Sequence, residues 1–389
     1  MTGSPDRAAP AGRTSPRASQ TGSPTSVKSK SSGKKSPTPP TQAGSSSPTQ
    51  ASPSAAIEAE PAVGDGASDD GTDDDGYGSD GASRATTSIS SSVRDYTFEA
   101  NRRYHKFEEG RYLIPNDDPE QEREDMKHAM ITHLCDGKLH FAPLDNPQTI
   151  LDLGTGTGIW AIDMGDEFPE ADILGIDLSP IQPTWVPPNV RFVVDDFEAE
   201  WIQDPESIDY VHARHLAPAI RNWAGLLSKA YKHVALGHPT LKPGGWLELQ
   251  DIRMGALYCD DGTMREDNSV SEWLAFVAEG LAVLGVDLLT VHKNKQRLID
   301  AGFVNVEERI YKLPLGVWPR DQKMKMVGLY NRSNFLDGLQ GISVKPLGHG
   351  LKWTPEKIEV FLAGVRKEIM DSSQHAYIPF HAIIGQKPA

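Results

Sequence analysis

The chain has 389 residues and a formal net charge of −15 at neutral pH, enough length for one large domain or two modest ones. Its hydrophobic fraction is a low 38%; no run of about 18 apolar residues occurs, and the Ser/Pro/Thr-rich N-terminus lacks the apolar stretch of a secretory signal. These features exclude a membrane-embedded chain and predict a soluble intracellular protein, while two cysteines, Cys135 and Cys259, are too few for a disulfide framework or a structural zinc site.

A reducing compartment, cytoplasm or nucleus, is therefore expected, with no metal. The segment Met1 to Val93 is poor in large apolar side chains and is predicted to be a disordered arm, because it cannot bury enough surface to offset chain ordering. Its charge is segregated: residues 1–50 carry seven Lys/Arg against one acid, and residues 51–93 carry nine acids against one Arg. Seven Ser-Pro or Thr-Pro pairs, from Ser4 to Ser52, allow proline-directed phosphorylation, and Lys34-Lys35 a weak nuclear-import signal; a solvated tail with no reader is the alternative. The arm contributes +6 and −8, which leaves −13 for residues 94–389. That balance argues against direct nucleic-acid binding and favours a small-molecule or protein substrate, with protein partners possible through the arm.

Residues 94–389 are predicted to form one α/β domain. Aromatic residues appear from Tyr96 onward, Pro115 to Pro119 reads as a turn, and a helix is expected from Glu120 to Leu139 with Met126, Met130, Ile131 and Leu134 on its apolar side. Strand-like and helical stretches then alternate, the signature of a parallel sheet built from βαβ units. The predicted strands are Thr149 to Leu153, Asp172 to Asp177, Val190 to Asp195, Ile208 to His212 and Trp246 to Asp251.

The first of these strands runs into Gly154-Thr155-Gly156-Thr157-Gly158 and then a helical segment. Such glycines allow positive φ and let a ligand approach the backbone, and the helix start offers amide donors. The spacing is D-x-G-x-G-x-G rather than the G-x-G-x-x-G of dinucleotide sites. Asp152, two residues before the first glycine, would repel a pyrophosphate but could accept bonds near the ammonium of an amino-acid ligand. Asp177 ends the second strand, where a carboxylate can take both hydroxyls of a ribose. Asp195 and Asp196 end the third, where one carboxylate can take an adenine amino group while Phe197 borders the ring. Any one of these acids alone could be a helix cap; three in register at successive strand ends mark a site.

Beyond Asp251, Ser271 to Leu284 and Lys293 to Ala301 read as helices, and Val304 to Leu315 and Pro379 to Gln386 as a closing antiparallel pair. The insertion between that pair, about 316–374, is rich in Trp, Met and Phe and either roofs a substrate pocket or is purely structural.

This constellation over residues 149–252, with Leu241-Lys242-Pro243-Gly244-Gly245-Trp246, resembles the class I, Rossmann-like S-adenosylmethionine-dependent methyltransferases. Asn101-Arg102-Arg103-Tyr104, Gly110-Arg111-Tyr112-Leu113, Pro115-Asn116-Asp117, Glu122-Arg123-Glu124-Asp125-Met126 and the C-terminal Ala376 to Pro388 are similar to fungal LaeA-like methyltransferases. The resemblance implies a seven-stranded, mostly parallel sheet with a helical N-terminal lid (94–145), a cofactor-binding core (146–252) and substrate-side helices with C-terminal strands (253–389), including a helical insertion before the last strand. It implies S-adenosylmethionine as cofactor, bound by Tyr104 from the lid and by Asp152, Gly154, Thr155, Gly156, Gly158, Asp177, Leu178, Asp195, Asp196 and Phe197. The fourth strand and its exit commonly hold substrate-facing groups in that fold, so His212, Arg214 and His215 are candidates there. His212 and His215 could serve as general bases near neutral pH, or could simply satisfy hydrogen bonds in the pocket wall. The resemblance further implies a fungal protein of secondary metabolism, acting on a small metabolite or as a nuclear regulator with protein partners. A scaffold that keeps the cofactor only for stability, and a nicotinamide oxidoreductase, are the readings from other classes.

Overall fold

The computed structural model describes residues 57–58, 96–201, 203–231 and 240–389, all within one unit, Gln50–Ala389. The predicted disorder of the arm and its phosphorylation sites lie outside the described residues. The domain opens on an antiparallel hairpin, β1 (Tyr96–Glu99) and β2 (Arg102–His105), where a helical lid is expected from sequence. The reason lies in the turn. Ala100 and Asn101 both take positive φ (48° and 61°), the pairing of a two-residue turn whose twist matches that of its strands, and β-favouring Tyr, Thr and Phe flank it.

Helix α1 (Asp118–Leu134) starts and stops earlier than predicted. Asp117 caps it by accepting from the Glu120 amide at 3.3 Å, and Asp136 (φ 57°) and Gly137 (φ 81°) turn the chain away after its last turn. Met130, Ile131 and Leu134 are buried as expected, but so are Glu120, Arg123, Lys127 and His128.

Elements β3 (Thr149–Leu153), α2 (Ile159–Glu167), β4 (Asp172–Asp177), β5 (Val190–Val194), β6 (Ile208–Arg214), α3 (Trp223–Tyr231) and β7 (Leu241–Ile252) form the parallel part. After them come the two-residue β8 (Tyr258–Cys259), α4 (Ser269–Val283), α5 (Asn294–Ala301), β9 (Val304–Pro314), α6 (Gln322–Ser343), a π-helical segment Val344–Gly350, α7 (Pro355–Ile369) and β10 (Ala376–Gln386). The sheet order is β5-β4-β3-β6-β7-β10-β8, with β9 paired to β10. Strands β5 to β7 are parallel, and β10 is antiparallel to β7 and to β9. The expected class I fold and its closing antiparallel pair are thus present, with β8 as an eighth strand at the edge and α6 to α7 as the insertion before β10.

Successive side chains of a strand face opposite sides, so Ile150 joins one core layer with Trp160 and Trp273, while Leu151 and Leu153 join the other with Trp201 and Trp223. One carboxylate fastens the first of these layers to β7. Glu248 of β7, fully buried, accepts from the Phe141 and Ala142 amides at 2.9 and 3.0 Å, from the Tyr210 hydroxyl at 2.9 Å and from Gln250 Nε2 at 2.6 Å. Glu248→Ala strands these donors away from water and should cost about 3–5 kcal/mol of stability. Urea unfolding reads this directly, and a midpoint unchanged from wild type would refute it.

Candidate functional site

The chain leaves β3 towards β4 on one side and returns to pair β6 on the other, so the two neighbours diverge at their C-terminal ends and open a crevice there. The glycine loop fills its mouth. Gly154, Gly156 and Gly158 have φ of 63°, 59° and 85°, a region that side chains rarely adopt. A Cβ on Gly158 would lie 2.4 Å from Phe192 Cζ, whereas one on Gly156 would meet nothing within 4 Å. Gly158 is thus glycine for packing, and Gly156 faces open space.

That space is a cavity of about 740 Å³ whose wall includes Tyr112, Gly154, Gly156, Asp177, Leu178 and Phe197. Asp177 accepts from the Gly156 amide at 2.9 Å and from the Ser179 amide at 2.8 Å; burial outweighs these bonds and pushes its carboxyl up to about 6. A second cavity of about 420 Å³ continues around the loop, lined by Asp152, Thr155, His212 and, in common with the first, Glu124, Lys127, Arg214 and His215. Both signs of charge meet there. Lys127 Nζ donates to Glu124 at 2.7 Å; burial lowers the lysine, while Lys127 and Arg123 hold Glu124 below its ordinary range against burial.

Several predicted residues stand back from this space. Tyr104 is buried under Lys345, whose Nζ sits 3.6 Å from its ring centre, and among the described residues it is Tyr112, Pro115 and Asn116 that reach the cavity from the N-terminal segment. Asp195 accepts from the Asp196 amide at 2.8 Å, and Asp196 accepts from the Glu198 amide at 2.8 Å and pairs with Arg111 at 3.1 Å. Both acids thus cap the loop that presents Phe197. The residues overlooked in the sequence are Tyr112, Asn116, Glu124, Lys127 and Ser179. Glu124 and Lys127 sit at i, i+3 on α1, where charge reads as a solvated face.

The two histidines differ. His212 is 1% exposed, its ring stacks on Trp160 with centroids 3.6 Å apart, and its Nδ1 is 2.7 Å from Asp152 Oδ1. His215 lies at the exit of β6 with φ 58°, held by its amide donating to Gln250 O at 2.8 Å. Its Nε2 is buried without a protein partner. Burial, then the charges of Lys127 and Arg214, depress its pKa well below the ordinary value, so the ring is neutral. Burial likewise lowers His212.

His215, Lys127 and Tyr112 also line a third cavity, of about 860 Å³, whose wall is mostly apolar: Leu113 and Ile114, Ile252 at the end of β7 and Met254 just beyond it, Trp273 and Val277 of α4, Phe335 of α6. Asp251 borders it, accepts from the Ala217 amide at 3.2 Å, and is pushed by burial up to about 7. Residues 113, 251, 273 and 335 meet only through the fold, so no local signal announces this cavity.

The two glycines give a separable pair of outcomes. Gly158→Ala should lose about 1–3 kcal/mol of stability through left-handed strain and the clash with Phe192. Gly156→Ala should cost less stability and show its effect on ligand affinity, because its Cβ enters the cavity. Thermal unfolding with calorimetric titration separates them; equal destabilisation with unaltered affinity for both would refute the assignment.

A family model described as a methyltransferase domain matches residues 126–308. The methyltransferase pytC of Aspergillus terreus is 40% identical over 304 residues, covering 78% of this chain and 91% of that relative. The secondary metabolism regulator LAE1 of Cochliobolus heterostrophus is 34% identical, covering 75% and 94%. A protein-methionine methyltransferase, laeA of Emericella nidulans, is 30% identical, covering 77% and 79%. With the class I sheet order, the glycine loop and Asp177 in place, the chain belongs to the LaeA-like family of S-adenosylmethionine-dependent methyltransferases.

Proposed function

We propose that this methyltransferase acts on a small, largely apolar acceptor bound in the third cavity, with His215 taking the proton that the acceptor loses. The observation that carries this reading is that the cavities share Tyr112, Lys127 and His215, so a group at the end of the apolar space stands beside the cofactor space. The residues present fit the cofactor. Asp177 offers a carboxylate between an amide pair and an apolar wall, and the trough beyond it offers Glu124 for an ammonium, Lys127 and Arg214 for a carboxylate. S-adenosylmethionine supplies a methyl group already activated by its sulfonium, so the protein's work is alignment and exclusion of water. Tyr112, on the segment that follows the hairpin, borders both spaces and is placed to separate them from solvent. A neutral His215 with an unpartnered Nε2 is the group best placed for proton acceptance. His212, stacked and bonded to Asp152, acts as a support for the loop.

A second reading takes its support from Met254, which lines the acceptor cavity, and from the laeA relative, named as a protein-methionine methyltransferase. A thioether carries no proton to lose, so this reading needs no base. A panel of apolar phenols, carboxylic acids and amines, followed by mass spectrometry of both products and protein, distinguishes them. Methylation of a panel member supports the small acceptor, whereas methyl transfer confined to Met254 or to another protein methionine overturns it.

Two outcomes follow for the site. Asp177 must be ionised to accept from hydroxyls, so cofactor affinity should be flat above pH 7 and fall about tenfold per unit below pH 6. Asp177→Asn should weaken binding by about 1–3 kcal/mol at pH 7.5 and abolish that slope; calorimetry across pH checks both, and an undiminished slope in the variant would exclude Asp177. His215→Gln should lower kcat by about 10²–10⁴-fold on a proton-losing acceptor while leaving cofactor affinity within about twofold. Retained turnover with a normal acid limb in the pH–rate profile would remove His215 from the reaction.

A further inference from the structure

We propose that the groove between the C-terminal end of α1, the end of β9 and the N-terminal end of α6 is the docking site of the chain's own acidic arm, seated through Ile57 and Glu58. These two are the described residues of the first 95, and both line the groove, with Leu134, Tyr311, Arg320 and Met324. The Arg320 amide donates to Glu58 O at 2.8 Å, and Arg320 Nη1 lies 3.8 Å from a Glu58 carboxylate oxygen. Ile57 is half-buried beside the apolar wall of Leu134, Tyr311 and Met324.

Charge explains why this segment and this place suit each other. The groove's own acids are engaged: Asp136 takes Lys323 Nζ at 2.6 Å, and Asp321 caps α6 by accepting from the Met324 amide at 2.9 Å. Lys312 at its edge donates to Asp260 at 2.7 Å, which leaves the 70% exposed Arg320 side chain to Glu58, a member of a sequence stretch, residues 51–93, that carries nine acids against one Arg. From the −13 of residues 94–389, the arm's acidic half is expected to be repelled; at contact distance the local patch decides instead, because fields beyond about 8–10 Å are screened.

One backbone hydrogen bond, one exposed ion pair and one half-buried isoleucine would not hold a separate peptide tightly. Here the segment is tethered. Residues 59–95 connect it covalently to β1, so docking is intramolecular and benefits from a high effective concentration. The same weakness keeps it reversible. The groove lies where α1 meets α6, and further along, these helices supply Glu124 and Lys127, and Asn334 and Phe335, to the cavities.

Amide hydrogen exchange on the full-length chain tests the proposal without reference to methyl transfer or to any cofactor. The Arg320 amide should exchange at least about fivefold faster in Ile57→Asp than in wild type, with Met324 unchanged because its amide bonds to the Asp321 cap of α6. A synthetic peptide of residues 52–63 added in millimolar excess to Ile57→Asp should restore the protection, and the same peptide carrying Ile57→Asp should not. Arg320→Glu should weaken that restoration. Equal exchange of the Arg320 amide in wild type and Ile57→Asp would overturn the proposal, as would protection restored equally by both peptides.

Discussion

The structure turns on one buried carboxylate. Asp152, next to last in β3, gives one oxygen to His212 Nδ1 at 2.7 Å and the other to Thr155 Oγ1 at 2.6 Å, with 3% exposure. A buried carboxylate is tolerated only with bonds of this kind. By making them, it fastens β3 to β6 and folds the glycine loop back on its own strand. His212, kept neutral by burial, must then donate from Nδ1, and its ring completes the link by stacking on Trp160 of α2. Strand, loop, helix and neighbouring strand are set in register by a single side chain. From the motif alone the acid is expected to face a ligand's ammonium; in the fold it borders the ligand space while both of its oxygens already hold protein partners.

A second constraint follows on α1, which turns charge inward. Arg123 bonds to Glu120, to Glu124 and, at 2.6 Å, to Asn334 of α6; Lys127 bonds to Glu124; Arg214 Nη2 meets His128 Nδ1 at 2.6 Å, and His128 Nε2 meets Asp163 at 2.8 Å. Desolvating so many charges contributes little net stability, and apolar residues of the same volume would serve a mere packing helix at least as well. What the network does supply is a fixed array of both signs along the wall of a cavity. Each side chain is held by a neighbour on α1 or, for Arg123 and His128, by a partner on another element, so the array does not need a ligand to order it.

The legible and illegible parts of this chain divide along the same line. Strands β3 to β5 could be read because each is a short apolar run closed by glycine or acid, and β3 and β4, buried on both faces, have to look like that. Strand β7 begins at Leu241 rather than Trp246 because Gly244, with φ 79°, lets Pro243-Gly244-Gly245 bulge without leaving the sheet, with a register shift opposite Ile208. The N-terminal hairpin was legible in retrospect, since Thr97, Phe98 and Tyr104 flank an Ala-Asn turn, but Asn at positive φ is a weaker sign than Gly. Of the site, the glycine loop, Asp177 and Phe197 stood in local patterns. Glu124 and Lys127 did not, because a helical charge pair reads as solvated unless tertiary packing turns it inward. The apolar cavity, built from α4, α6, the end of β7 and residues 113–114, has no one-dimensional trace at all.

His215 joins these threads at the point where strain, charge and shape coincide. A non-glycine residue in the left-handed region costs of order 1–3 kcal/mol unless the surroundings over-determine it; here the amide bond to Gln250 O on β7 does so, directly after β6 ends. The conformation throws the ring off the strand and into the wall shared by polar trough and apolar cavity. There the neighbouring cations Lys127 and Arg214 make a second positive charge unfavourable, while burial lifts Asp251 on the opposite strand towards 7. Environments that push an imidazole down and a carboxyl up leave the imidazole neutral and the carboxyl poised between its two forms near neutral pH, the arrangement in which a proton can be exchanged. An apolar molecule can therefore enter beside a neutral ring, and the strained residue faces both spaces.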